Sequence, residues 1–199
     1  MDLFAEQVRD RLARVREEVG PEVTIVAATK YVSVADMAVL AEAGIEVVGE
    51  NKAQDLEEKH AAHGDAFRWH FIGHLQSRKA KVVSGICELV HSLDSESAAR
   101  RLEIPALLQV NLAGEESKSG VSPNEIPAFL ELYPRILGFS TMPPATGDPE
   151  ESRPYFRKLR ELAQEHRLTE LSMGTSQDYN VAAQEGATMI RIGSVLYQG

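Results

Sequence analysis

The apolar positions of the chain follow two alternating spacings. Short runs rich in β-branched residues predict eight strands, near residues 23–29, 46–49, 67–72, 87–92, 105–112, 135–141, 168–173 and 188–193. Between them, helical spacing of apolar residues predicts helices near 33–43, 51–61, 75–84, 94–102, 122–132, 150–166 and 177–185. A further amphipathic helix is predicted at the N-terminus, where Phe4, Val8, Leu12 and Val15 share one face.

The regular alternation of strand and helix indicates parallel strands joined by helical crossovers. Eight such units favour a closed (β/α)8 TIM barrel over an open doubly wound sheet. The dinucleotide-binding alternative also lacks its glycine-rich loop, because "ATKYVSVADM" stands where that loop is needed. We therefore predict a single α/β domain over residues 1–199, in which the extra N-terminal helix covers the position that a last helix normally fills.

Composition narrows the class of protein. Apolar residues make up 43% of the chain and charged residues 26%, which is typical of a soluble globular protein. The net charge of −9 disfavours binding to a phosphate backbone, so no nucleic-acid partner is expected. Charges interrupt the N-terminal helix every few residues, so no signal peptide or membrane contact is expected either. With Cys87 as the lone cysteine, these features predict a cytoplasmic protein, either a monomer or a weak dimer.

A lysine ends the first predicted strand, "VTIVAATK". In a (β/α)8 barrel the active site lies at the carboxyl ends of the strands, which places Lys30 at the mouth of the barrel. An amine there is able to attack a carbonyl when it is neutral, and partial burial among Val and Ile side chains would promote the neutral form. The simpler alternative is a strand-end lysine that extends into solvent.

The ends of the seventh and eighth strands offer hydroxyl groups and glycines. Ser172, Ser176 and Ser194 supply hydroxyls, and Gly174 and Gly193 allow backbone N–H groups to approach an anion closely. Loops after strands seven and eight commonly bind phosphate in this fold. A lysine and a phosphate site at one mouth suit either pyridoxal phosphate (PLP) or a phosphorylated sugar in a Schiff-base aldolase.

Several motifs, in order along nearly the whole chain, resemble those of the pyridoxal phosphate homeostasis proteins, whose fold is similar to the N-terminal barrel of alanine racemase. They are "VAATK", "GEN" at 49–51 followed by Gln54, "WHFIGHLQSRK" at 69–79, "VN" at 110–111, "SKSG" at 117–120, "LSMG" with Ser176 and Asp178, and "ATMIRIG" at 187–193. Three positions depart from the usual pattern, because Ser140 and Thr175 replace methionines and Ser194 replaces a threonine.

The resemblance implies a protein that binds PLP as a Schiff base on Lys30 and stores or delivers it to apo PLP-dependent enzymes, without catalytic turnover. It implies that Asn51 lies beside the cofactor and that Ser172, Ser176, Gly193 and Ser194 surround the phosphate. Arg191 would face the pyridine nitrogen, and because an arginine cannot accept a proton, the ring would be a weak electron sink.

Two enzymatic functions are alternatives to the storage and delivery of PLP. A PLP-dependent amino-acid racemase needs two bases on opposite faces of its substrate. In alanine racemase the second base is a tyrosine from a partner subunit, and no tyrosine of this chain lies in a matching segment. A Schiff-base aldolase normally takes its lysine from a later strand, usually the sixth, where this chain has Ser140-Thr141-Met142.

The remaining candidates have simpler interpretations. His70 is expected to be a core histidine bonded to the backbone, whereas His74 at the mouth is equally compatible with ligand contact and with none. Cys87 is expected to be a small buried hydrophobe, and no histidine spacing typical of a metal site occurs. Lys118, in the polar loop "NLAGEESKSG", is a hypothetical transient contact for phosphate.

Overall fold

Eight parallel strands form a closed barrel in the computed structural model, which describes residues 4–114 and 119–198. The strands are β1 Thr24–Ala28, β2 Val47–Glu50, β3 Arg68–Phe71, β4 Leu89–Leu93, β5 Ala106–Gln109, β6 Ile136–Ser140, β7 Glu170–Ser172 and β8 Met189–Ile192. Each strand pairs with the next along the chain, and β8 pairs with β1, with Ile25 opposite Ile190. The predicted (β/α)8 barrel is confirmed.

Helices surround the strands in the predicted order. They are α1 Ala5–Val19, α2 Met37–Glu42, α3 Ala53–His63, α4 Ala80–Ile86, α5 Glu96–Ala99, α6 Ile126–Leu132, α7 Arg153–Glu165, α8 Tyr179–Gln184 and α9 Ser194–Tyr197. Several begin later than predicted. Before α2, for example, Ser33 Oγ accepts a hydrogen bond from the backbone N–H of Asp36 at 3.1 Å and so closes a separate turn.

The N-terminal helix lies where the sequence predicted it. Helix α1 contacts α2, α8 and α9, so it covers the side of the barrel where β1 meets β8. Val8 and Val15 are its buried residues, and they belong to the main hydrophobic core between strands and helices. This arrangement closes the outer layer beside the strand that leads to Lys30.

The interior of the barrel changes from apolar to polar along its axis. A small apolar cluster of Leu89, Leu107 and Met189 closes the end where β4, β5 and β8 begin. Two residues farther along β4 and β8, the chain has His91 and Arg191, both buried. The polar groups therefore lie beneath the mouth, which is the end formed by the carboxyl ends of the strands.

No helix in the described ranges is long and apolar enough to cross a membrane.

Candidate functional site

Two cavities meet at the mouth of the barrel. The central cavity, about 260 Å³, lies over the strand ends and has Asn51, His74, Asp94 and Arg191 in its wall. The side cavity, about 270 Å³, lies beside the loops that follow β7 and β8. Ala28, Lys30 and Thr175 line both, so the lysine stands between the two spaces.

Lys30 lies two residues after β1 and its side chain is exposed. Its Nζ is 4.9 Å from the centroid of the Tyr31 ring, and Tyr31 itself is 76% exposed. The expectation that Val and Ile side chains partly bury the amine is wrong, because the apolar strand ends before the lysine. The amine is instead accessible from both cavities.

A buried ion pair holds the backbone at Asn51 and at Thr29, the residue before Lys30. The Glu50 carboxylate is bonded to Lys59 Nζ, and its Oε1 also accepts a hydrogen bond from Thr29 Oγ1 at 2.6 Å. Lys59 Nζ donates to the carbonyl of Thr29 at 2.7 Å, and Glu50 Oε2 accepts from the backbone N–H of Asn51 at 3.2 Å. The pair therefore joins the residue before the lysine to the asparagine.

Asn51 contributes an unsatisfied polar atom to the site. Its Oδ1 is buried and has no hydrogen-bond partner among the residues that the structure describes. Leaving such an atom unpaired costs free energy, and native structures normally satisfy it. Because Asn51 lines the central cavity, a hydrogen-bond donor on a ligand is a suitable partner.

Arg191 is a buried cation held by neutral acceptors. Its guanidinium donates to the carbonyls of Ser172 at 2.8 Å and Thr141 at 2.9 Å, and it contacts Met142 Sδ at 2.9 Å. Within residues 4–114 and 119–198 it forms no salt bridge, and burial lowers its pKa to about 10. A guanidinium without a carboxylate partner beside a cavity suits an electron-rich ligand atom.

Ser172 lies away from the other two candidate serines. It is completely buried, and its Oγ is bonded to Arg191 and lies 2.7 Å from His91 Nδ1. Strands β4 and β7 are not neighbours, so the contact between Ser172 and His91 crosses the barrel interior. The resemblance placed Ser172 at the phosphate, whereas the structure places its hydroxyl beneath Arg191.

The network continues from His91 to His70. His70 is a buried core histidine, as expected, but its Nδ1 lies 2.9 Å from His91 Nε2, so the partner found in the described residues is a side chain and not the backbone. Because Arg191 donates to Ser172 Oγ, that hydroxyl is able to donate to His91 Nδ1, and His91 then donates to His70. Burial lowers the pKa of His70 to about 4 and that of His91 well below its usual value. Both rings are therefore neutral near pH 7.

The side cavity is lined by the predicted phosphate loops. Ser176 Oγ accepts hydrogen bonds from the backbone N–H groups of Gly193 at 3.0 Å and Val195 at 3.4 Å. The exposed Ser194 and the buried Tyr197 line the same space. The Tyr197 hydroxyl has no partner among the described residues. Three hydroxyl groups, those of Ser176, Ser194 and Tyr197, thus line this space as donors for an anion.

Gly174 serves the packing of these loops. Its φ is 94°, and a Cβ at this position would lie 2.6 Å from the Cβ of Ala182 in α8. Only glycine allows this backbone and this close approach. The following turn is held by Asp178, whose Oδ1 accepts from the backbone N–H of Thr175 at 2.7 Å.

The remaining candidates are placed as follows. His74 lines the central cavity, with its Nδ1 3.7 Å from Asp94 Oδ2, and burial raises the pKa of Asp94. Burial also raises the pKa of Cys87 to about 12, as expected for an inert thiol. No cluster of three metal-ligating side chains occurs within the described ranges. Lys118 lies outside the described residues.

Comparison with known proteins decides the family. A model of the alanine racemase N-terminal domain family matches residues 5–199. A pyridoxal phosphate homeostasis protein of Aquifex aeolicus is 41% identical, covering 77% of each chain. That of Pseudomonas aeruginosa is 34% identical, covering 99% of this chain and 96% of its own. The chain belongs to the pyridoxal phosphate homeostasis protein family. The resemblance inferred from the motifs is confirmed.

Solved structures agree with this family. PipY of Synechococcus elongatus, in a structure with PLP bound, is 33% identical and matches with a TM-score of 0.85 over 96% of this chain and 99% of its own. Alanine racemase of Corynebacterium glutamicum matches with a TM-score of 0.76 but is only 13% identical, and this chain covers 61% of it. The second likeness shows the fold alone.

Two buried contacts of the site were missed by sequence reasoning. The "GEN" motif includes Glu50, but nothing in the sequence analysis pairs it with Lys59. A signal existed, because Lys59 lies three residues after Leu56 on the buried face of α3. The pairing of His91 with Ser172 had no comparable signal, since the two residues lie on strands that are not neighbours and meet only across the interior of the closed barrel.

Proposed function

We propose that this protein binds PLP as a Schiff base on Lys30 and serves its storage and delivery rather than catalytic turnover. The observation that carries the proposal is the position of Lys30 between two complementary spaces. On one side lie Asn51 and Arg191, and on the other lie the donors around Ser176. The family relatives named for PLP homeostasis and the PLP-bound PipY support this function.

The residues present fit the cofactor on two observations. Buried Asn51 Oδ1 has no partner among the described residues and lies at the central cavity, and the hydroxyl-bearing residues Ser176 and Tyr197 line the side cavity. When bound, PLP supplies an aldehyde that condenses with an amine, with loss of water. Lys30 would supply that amine, and Ser176, Gly193 and Ser194 would hold the phosphate, with Gly174 shaping the loop. Ser172 would act through Arg191.

Arg191 favours storage over carbanion chemistry. It is a cation that donates protons and cannot accept one, so it would leave a pyridine nitrogen facing it unprotonated. An unprotonated ring withdraws electrons weakly, which restrains proton removal from a bound amino acid. Two described tyrosines, Tyr31 and Tyr197, line the side cavity together with Lys30. Neither favours a racemase, because Tyr31 is adjacent to the lysine in sequence and burial raises the pKa of Tyr197, which disfavours its use as a second base.

The proposal extends to the surroundings in which the protein acts. We propose a cytoplasmic protein whose single domain works as a monomer or weak dimer and passes PLP to apo PLP-dependent enzymes. The single cysteine suits a reducing compartment, and the acidic net charge disfavours binding to nucleic acid.

A PLP titration followed by visible absorbance tests the proposal. The wild-type protein is expected to develop an imine band in equimolar proportion, and Lys30→Ala is expected to abolish it. Lys158→Ala, on the outer face of α7, is the matched control and should keep the band. A band that survives in Lys30→Ala would contradict the assignment. Turnover of D- or L-amino acids by the loaded protein would contradict the storage function, whereas activation of an added apo enzyme would support it.

A further inference from the structure

A third cavity adjoins the mouth on the side of β2 and β3. It has a volume of about 320 Å³, and three cationic residues, Lys52, Arg78 and Lys79, line it. Asn51 and His74 line both this space and the central cavity, so the two are neighbours. We call it the basic cavity. Its lining consists of residues 51–54, which begin at the end of the "GEN" motif, and of residues from "FIGHLQSRK". Of the lining residues, Asn51 alone is assigned to the PLP site above.

The charge of the basic cavity is opposite to that of the whole chain. No carboxylate is found among its described lining residues, although the chain carries a net charge of −9. Within the described ranges, Lys52 and Arg78 form no salt bridge, and Arg78 Nε donates only to Gln76 Oε1 at 3.0 Å. Lys79 Nζ lies 3.8 Å from Glu57, a half-exposed pair of little energetic value. The positive charge is therefore available to a ligand.

Backbone groups add to this charge. The cavity includes Lys52, Ala53 and Gln54, at the start of the 11-residue helix α3, whose N-terminus has no side-chain cap. The first N–H groups of a helix lack intrahelical acceptors, and the helix dipole favours a negative charge there. Asp55, also in the first turn, opposes this effect but does not line the cavity.

We propose that the basic cavity binds a phosphate monoester or inorganic phosphate, as a second anion site beside the one at Lys30. Lys79 and Arg78 supply charge-assisted hydrogen bonds from one wall, and the N–H groups of α3 supply them from the other. Buried Phe71 and Ala53 form the apolar part of the lining. This site goes beyond the proposed PLP function and holds whether or not Lys30 forms a Schiff base.

Amide NMR titration with inorganic phosphate tests the site directly. Saturable shifts are expected at the backbone amides of Ala53 and Gln54. In the variant Arg78→Gln/Lys79→Gln the dissociation constant read at these amides should rise at least about tenfold, since two charge-assisted contacts are lost. The control Arg14→Gln/Lys158→Gln removes the same charge from the outer helices α1 and α7 and should leave it unchanged.

The outcomes separate this site from the PLP site. The amides of Gly193 and Val195 report the side cavity in the same titration, so failure at one site is read independently of the other. A second arm uses pyridoxine 5′-phosphate, which has no aldehyde. If pyridoxine 5′-phosphate binds the basic cavity more tightly than inorganic phosphate does, the natural ligand is a phosphorylated vitamer. Equal binding of the two would identify free phosphate as the ligand. Absence of saturable shifts at Ala53 and Gln54, or equal loss in the control, would overturn the proposal.

Discussion

Two buried polar networks flank Lys30, and they differ in how their charge is balanced. Between the barrel and α3, Glu50 and Lys59 neutralise each other, and their other bonds join them to Thr29 and to the backbone of Asn51. Inside the barrel, the acceptors of Arg191 among the described residues are all neutral, and neutral side chains continue the network from it. One network thus holds the scaffold, whereas the other keeps a cation ready for a ligand.

The largest loss of stability is expected from Lys59→Met, which breaks the ion pair between Glu50 and Lys59. It leaves the Glu50 carboxylate buried without its cation, and such a loss typically costs about 3–5 kcal/mol. The free energy of unfolding from urea denaturation measures it. Lys158→Met, which removes a half-exposed partner of Glu161 at 3.7 Å, is the control and should cost under about 1 kcal/mol. Equal losses in both variants would show that Glu50 and Lys59 do not act as a buried pair.

The second-largest effect is a dependence of stability on pH, which arises from the neutral histidines His70 and His91 inside the barrel. The pKa of His70 is about 4 in the folded protein and 6.5 ordinarily, so the unfolded chain takes up the proton first as pH falls. Stability is therefore greatest above pH 6.5 and decreases towards pH 4. Protonation linked to His70 alone should lower the free energy of unfolding by about 2 kcal/mol between pH 6.5 and pH 5, and that linked to His91 should lower it further.

Urea denaturation at several pH values measures this slope. The variant His70→Asn should show a flatter dependence over the same range, because Asn does not titrate. An unchanged slope in the variant would mean that His70 is not kept neutral by its burial.

A smaller loss is expected from Ser172→Ala, which interrupts the link between Arg191 and His91. Each buried group left without a partner costs about 1–3 kcal/mol, and partial rearrangement of Arg191 should keep the total near the lower end. Thermal denaturation of the apo protein measures it, and the His91 ring resonance should shift as well. Ser194→Ala, at an exposed serine, should change stability by less than about 0.5 kcal/mol.

The smallest effect on stability is expected at the side cavity. Ser176→Ala removes the acceptor of two N–H bonds at a half-buried position, which should cost about 1 kcal/mol. Affinity for PLP should fall by more than stability does, because the Ser176 hydroxyl, which accepts from these two N–H groups, keeps its own proton to donate to the phosphate. A variant with normal PLP affinity would remove Ser176 from the proposed cradle.

The sequence predicted the barrel because strand and helix periods are local properties of the chain. It also predicted the placement of Lys30 at the mouth, since strand ends are recognisable from the same pattern, whereas the assignment of Asn51 and Arg191 to the site rests on the family resemblance. It did not predict the exposure of Lys30, because the burial of a residue after a strand depends on neighbouring loops. The contacts of Lys59 with Glu50 and of His91 with Ser172 join distant segments, and only the closed barrel brings them together.

Attachment of PLP to Lys30 is tested most directly by peptide mapping after reduction of the PLP-loaded protein with borohydride. A single equivalent of the reduced cofactor is expected, on the peptide that contains Lys30. Mild loading conditions keep reaction with exposed lysines low, and Lys30→Ala serves as the blank. A label on another lysine, or an unlabelled Lys30 in protein that shows the imine band, would contradict the account.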